Sequence, residues 1–181
     1  MHIGAVRRFL EGVAHRARGC APRRASIGAI VFAAVLLLTA RPAFADLTAF
    51  VGVNTTPANR LTTGIAVGAS LLVIGFEGEY AKTVEDVAAA APSLSTGMGS
   101  IFVQNPIPIA GIQVYAIAGT GIYKESLAEA DNWGVVASFG GGAKIELISH
   151  IRLRIDYRAM KLPGARYDPA HRVYAGLNIA F

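Results

Sequence analysis

The last eleven residues, His171 to Phe181, constrain the fold more than any other stretch of the chain. They alternate Val173, Ala175, Leu177, Ile179 and Phe181 with Arg172, Tyr174, Gly176, Asn178 and Ala180. A period of two places each set on its own face of a strand. One face is then apolar without a break, and the other is small or polar. A wall of this kind separates an oily space from a watery or polar-filled one. The expectation is that the rest of the chain closes the wall into a transmembrane β-barrel.

The length of 181 residues, 53% of them hydrophobic, suits one domain. The formal charge of +5 and pI near 9.7 suggest nucleic acid as a partner only until the charges are located. Arg7, Arg8, Arg16, Arg18, Arg23, Arg24 and Arg41 precede residue 46 against the single acid Glu11. Taking these seven from 17 bases and the one acid from 12 leaves 10 bases against 11 acids, so no nucleic-acid partner is expected.

The basic residues to Arg24, the apolar run Ile27 to Leu38 and the small-x-small triplet Ala43-Phe44-Ala45 together fit a secretory signal over residues 1–45, cleaved before Asp46. The run falls short of the roughly 20 residues a spanning helix needs, which disfavours an uncleaved anchor. Cys20 precedes the run and would leave with it, so the mature chain, 46–181, carries no disulfide or thiol chemistry.

The mature chain reads as eight stretches of about ten residues separated by turn or loop chemistry. They are Leu47–Thr55, Leu61–Ser70, Leu72–Thr83, Ser95–Asn105, Ile112–Tyr123, Asn132–Leu147, His150–Lys161 and His171–Phe181. Ten residues is about the length with which a tilted strand crosses hydrocarbon, and eight is the smallest strand count usual for a closed outer-membrane barrel. Thr56–Arg60, Val84–Leu94, Lys124–Asp131 and Leu162–Ala170 are the longer or proline-bearing connections, and the intervening ones are short apart from Pro106–Gly111. This alternation predicts an all-β, eight-stranded, antiparallel up-and-down barrel with both termini at the short-turn end. Val84–Ser93 is alanine-rich and of helix-forming composition, and is read as a surface loop without assigned function.

On the seventh stretch Ile151, Leu153, Ile155, Tyr157 and Ala159 alternate with Arg152, Arg154, Asp156, Arg158 and Met160. An arginine facing lipid at mid-membrane costs about 2 to 4 kcal/mol, so the arginines are expected inside. By the same parity Glu77 and Glu79 of the third stretch, Lys144 and Glu146 of the sixth, and Arg172 of the eighth face inward. Four acids (Glu77, Glu79, Glu146, Asp156) thus meet five bases (Lys144, Arg152, Arg154, Arg158, Arg172) in the lumen. Eight strands enclose a bore just wide enough for side chains to fill, so an ion-pair network plugging the lumen is preferred to an open channel. Parity on the fourth and fifth stretches is undecided, because both faces are mixed. Gly97, Gly99, Gly119, Gly121 and Gly140–Gly142 leave room for tight curvature or for large lumenal side chains. Tyr80, Tyr123 and Trp133 at the outer strand ends, and Phe181 at the inner end, are expected as interfacial aromatic girdles.

No catalytic constellation assembles. His150 and His171, the mature histidines, fall at opposite ends of the barrel, and Ser149 points away from the face of His150. Asp168 near His171 reads as a solvated loop pair. Two distant histidines without cysteines make no metal site, and neither enzyme activity nor a cofactor is expected.

The signal sequence, Glu77-Gly-Glu79-Tyr80, Val114 to Gly121, Arg152-Leu-Arg154-Ile-Asp156-Tyr-Arg158 and the terminal Phe181 together resemble the OmpA/OmpX-like, porin-family small outer-membrane barrels. The resemblance spans nearly the whole mature chain. It implies insertion into outer-membrane lipid, a monomer, and recognition of Phe181 by the barrel assembly machinery. It implies no single activity, because such barrels serve as adhesins, envelope-stabilising proteins, narrow channels and lipid enzymes. The reading adopted is a non-enzymatic envelope or surface protein with a plugged lumen. A narrow porin-like channel is the alternative, and a soluble periplasmic lipocalin-like binding barrel the second.

Overall fold

The computed structural model describes residues 44–127 and 130–181. The expected signal segment lies outside the described residues up to residue 43. The rest is a closed antiparallel barrel of eight strands, each paired with its neighbours in sequence and the last with the first. They are β1 (Phe44–Asn54), β2 (Arg60–Leu71), β3 (Ile74–Thr83), β4 (Ser93–Gln104), β5 (Ile112–Leu127), β6 (Ala130–Ile148), β7 (Ile151–Lys161) and β8 (Ala170–Ala180). Closure satisfies every edge, the condition for β-structure in lipid. At the seam Ala45 and Phe181 exchange backbone hydrogen bonds of 3.2 and 3.0 Å.

The observed strands depart from the expected ones where the chain gives no turn signal. Leu72 and Val73 begin no strand; they form the tight turn between β2 and β3, with Leu72 at φ 54. Lys124–Asp131 is not a loop, because β5 and β6 continue pairing to Leu127↔Ala130. These two strands therefore rise beyond their neighbours as a hairpin, held by the Lys124–Asp131 ion pair at 2.7 Å and by Ser126 donating to Asp131 at 2.6 Å. Val84–Ser93 forms no helix. An Asp86↔Ala91 bridge folds it into a turn with Ala90 at φ 48.

Alternation holds around the ring. Outward positions such as Val51, Ile65, Val67, Phe76, Ile101, Val114, Ile122, Val135, Phe139, Leu177 and Ile179 form an apolar exterior, contrary to the partly polar exterior that the soluble alternative requires. The undecided parity resolves: Thr96, Met98, Ser100 and Phe102 of β4 and Gln113, Tyr115, Ile117 and Tyr123 of β5 face inward and are buried. The five inward aromatics each sit directly across from a glycine on an adjacent strand: Phe50↔Gly64, Phe102↔Gly75, Tyr115↔Gly142, Tyr123↔Gly134 and Tyr174↔Gly52. A Cβ at any of these glycines would collide with the facing residue. The glycines thus let a bore lined by eight strands hold five rings.

Candidate functional site in the barrel lumen

The ring order fixes which charges can meet. β3 and β7 are four strands apart in either direction, so they face each other across the full bore. β3 carries Glu77 and Glu79 inward, and β7 carries Arg154, Asp156 and Arg158. β8 places Arg172 directly opposite Arg158 on the same wall, a like-charge pair that needs acid from elsewhere. β3 supplies it. Arg172 Nη2 donates to Glu79 Oε1, while Arg158 Nη2 donates to Glu77 Oε1 at 2.8 Å and lies 3.5 Å from Glu79 Oε2.

Arg154 is the hub. Its Nη1 and Nη2 donate to the two oxygens of Glu77, the second at 3.2 Å, and Nη2 also reaches Asp156 Oδ2 at 2.9 Å. Its Nε donates to the Tyr115 hydroxyl at 2.7 Å, and that hydroxyl in turn donates to Asp156. Arg158 Nε completes Asp156 at 2.8 Å, and the Tyr174 hydroxyl donates to Glu79 at 3.4 Å. Arg154, Arg158 and Arg172 are at most 1% exposed. Three arginines and three carboxylates cancel, and forked geometry gives each guanidinium more than one partner. Such a network contributes little net stability once desolvation is counted, but removing one member leaves a buried charge unopposed.

A second balanced pair lies nearer the short-turn end. Lys144 Nζ donates to Asp46 Oδ2 at 2.5 Å and sits over the Phe102 and Tyr115 rings at 5.2 and 5.9 Å. Towards the long-loop end the lumen changes character. Leu94, Met98, Tyr123, Val136, Met160, Leu162 and Ala170 form an apolar cluster there. Beside it Arg60 donates to the loop carbonyls of Pro92 and, at 2.9 Å, Thr56.

Of the expected lumenal residues, Glu77, Glu79, Arg154, Asp156, Arg158 and Arg172 come together in one cluster, and Lys144 pairs below it. Glu146 and Arg152 do not join. They face each other on β6 and β7 at the short-turn rim, where Glu146 is exposed and Arg152 half-buried. Parity gave their face but not their height. Asp46 was missed because it sits at the expected cleavage point, with no alternating context before it. Tyr115 and Tyr174 were missed as network members, although their inward hydroxyls bridge the charged groups. Among the expected girdle residues Tyr80, Trp133 and Phe181 are outward and exposed. Tyr123 is not; it is 1% exposed inside the apolar cluster, its hydroxyl donating to Pro163 O at 2.9 Å.

The histidines do not combine. His150 is exposed in the β6–β7 turn, and His171 is bound through Nδ1 to the Tyr157 hydroxyl at 2.8 Å on the outer face. Asp168 accepts the Leu162 amide at 3.0 Å instead of orienting His171. Among the described residues no group of three or more metal-ligating side chains converges.

No family profile matches the chain, and no curated protein sequence does. Solved structures do. The N-terminal β-barrel domain of Pseudomonas aeruginosa OprF superposes with a TM-score of 0.59 at 13% identity, covering 76% of this chain and 97% of that one. Neisserial surface protein A gives 0.62 at 14%, covering 78% and 99%. The chain has the fold of the eight-stranded outer-membrane barrels. Ail, the attachment invasion locus protein of Yersinia pestis, is also similar, with a TM-score of 0.51 at 12% identity over 78% of this chain and all of that one. This small outer-membrane barrel fold appears here with 14% identity or less to all three, so what is shared is the alternation and the closure, and the lumenal charges must be argued from this chain alone.

Proposed function

We propose that the chain is a monomeric outer-membrane barrel that conducts nothing and catalyses nothing, and that it acts in the envelope through its exterior and its long-loop end. The observation that carries this reading is the set of ion pairs joining β3 to β7 and β8 across the bore, buried and balanced in charge. Above them the apolar cluster and Arg60 occupy the remaining width. The apolar exterior, the exposed Tyr80 and Trp133 toward one end and Phe181 at the other support residence in a bilayer. Phe181, outward at the end of the chain, is the group through which we place recognition by the assembly machinery. A signal peptide over residues 1–45 is the export route this reading needs, and its removal would take Phe44 and Ala45 from β1 and leave the seam with β8 starting at the Asp46–Ala180 pair.

The narrow-channel reading has one observation in its favour. Arg158 Nη1, Arg172 Nε, Ser100 Oγ and Ser138 Oγ are buried without a protein partner, and water is the usual partner of such atoms. A liposome-swelling assay separates the readings. Proteoliposomes holding the barrel should shrink in a small sugar and stay shrunken, as protein-free ones do; recovery of volume at a rate set by protein content would establish the channel. Heat-modifiable migration in a detergent gel checks that the inserted protein is the folded barrel.

A further inference from the structure

The exterior is not uniform, and the departure lies on β3, β4 and β5. Register sets Lys82, Ser95 and Lys124 side by side in an outward row near the long-loop end. Two residues below in each strand come Tyr80, Gly97 and Ile122, and two below those Gly78, Gly99 and Thr120. The lower glycines form the floor of an open groove of about 820 Å³ walled by Val67, Phe76 and Ile101. The lysine row therefore stands about 13 Å along the strands from the groove floor, roughly the span from a lipid headgroup into its acyl chains. Lys124 is held by Asp131 at 2.7 Å over the Trp133 ring, whereas Lys82 has no side-chain partner among the described residues. Among the described strand residues the outward-facing charges lie at this end, at Lys82, Lys124, Asp131 and Lys161, and Leu71, Ile74, Val103 and Ile179 occupy outward positions at the other end.

We infer that this face binds a phosphorylated, multiply acylated glycolipid of the outer leaflet. Lys82, with Lys124 beside it, meets a phosphate, and one acyl chain runs past Gly97 to lie over Gly78 and Gly99 in the groove. The inference rests on the outer-membrane reading. Charge complementarity selects the occupant: a neutral lipid leaves Lys82 unmatched, and a second copy of the chain would bring its own Lys82 to the same row. The groove can be filled without disturbing the barrel, because a Cβ at Gly78 or Gly99 meets no atom within 4 Å.

The test is native mass spectrometry of the folded barrel released from nanodiscs containing bisphosphorylated lipid A and phosphatidylglycerol in equal amounts. Lipid A should be retained in preference. Lys82→Glu should lower its retention about tenfold, equivalent to about 1.4 kcal/mol, and Gly99→Leu should lower it several-fold while phosphatidylglycerol retention is unchanged. Equal retention of the two lipids, indifference to both substitutions, or a dimer lost in Gly99→Leu would overturn the inference. Heat-modifiable migration and sugar-impermeable liposomes, measured on the same preparations, report on the underlying barrel reading separately.

Discussion

At mid-height six ionised side chains cross the bore, whereas at the long-loop end Leu94, Met98, Tyr123, Val136, Met160 and Leu162 fill the same width with apolar atoms. Both regions are dense, and both leave their largest side chains almost unexposed. They differ in what happens when one member is lost. In the apolar region a truncation removes contacts and leaves a space, a cost that grows with the volume deleted. In the charged region it removes the partner of an ion that cannot reach water, and the remaining charge bears the whole desolvation cost. The charged region also ties opposite walls together, since Arg154 and Arg158 of β7 reach Glu77 and Glu79 of β3 across the bore. It therefore fixes the cross-section of the barrel as well as filling it.

Substitutions can break this contrast in order of expected size. Glu77→Ala leaves both Arg154 and Arg158 short of an acid; unfolding in urea, followed by the loss of heat-modifiable migration, should show a loss of about 3 to 5 kcal/mol. Met160→Ala, in the apolar cluster and 1% exposed, should cost about 2 to 3 kcal/mol in the same assay, and a loss equal to that of Glu77→Ala would erase the distinction between the regions. Gly142→Ala drives a methyl against the Tyr115 ring and the Ile155 carbonyl, with an expected cost of about 1 to 3 kcal/mol. Combining it with Tyr115→Ala should recover part of that loss. Lys124→Ala removes an ion pair whose side chains are 34% and 46% exposed, and the change should stay within about 1 kcal/mol and shrink with added salt.

The same contrast explains what the sequence made legible. β3, β7 and β8 could be assigned faces because their lumenal residues are charged or polar and their outward ones apolar, so a period of two stands out. On the upper parts of β4 and β5 both faces mix polar and apolar residues: Leu94, Thr96, Met98, Tyr123 and Glu125 are buried in the lumen, and Ser95, Gly97, Ile122 and Lys124 face out. With no contrast between the faces, parity disappears, and Tyr123 reads as an interfacial ring when it is a lumenal one. Position along the barrel axis was equally hidden. Glu146 has the parity of Lys144 and Arg152 that of Arg154, yet the pair sits at the rim, because alternation reports a face and says nothing of height. The tip of the β5–β6 hairpin has the composition of a loop, with Lys124, Glu125 and Asp131 close together in the sequence. Cross-strand pairing of Lys124 with Asp131 and stacking over Trp133 hold those charges on a sheet.

Planar-bilayer recording of the folded barrel, beside an Arg154→Ala/Arg158→Ala variant, tests most directly whether the charged cluster closes the lumen. The wild-type protein should give no stepwise current, and the variant, which removes two guanidinium groups from the bore, should give discrete openings. Stepwise currents from the wild type, unchanged in the variant, would contradict the account.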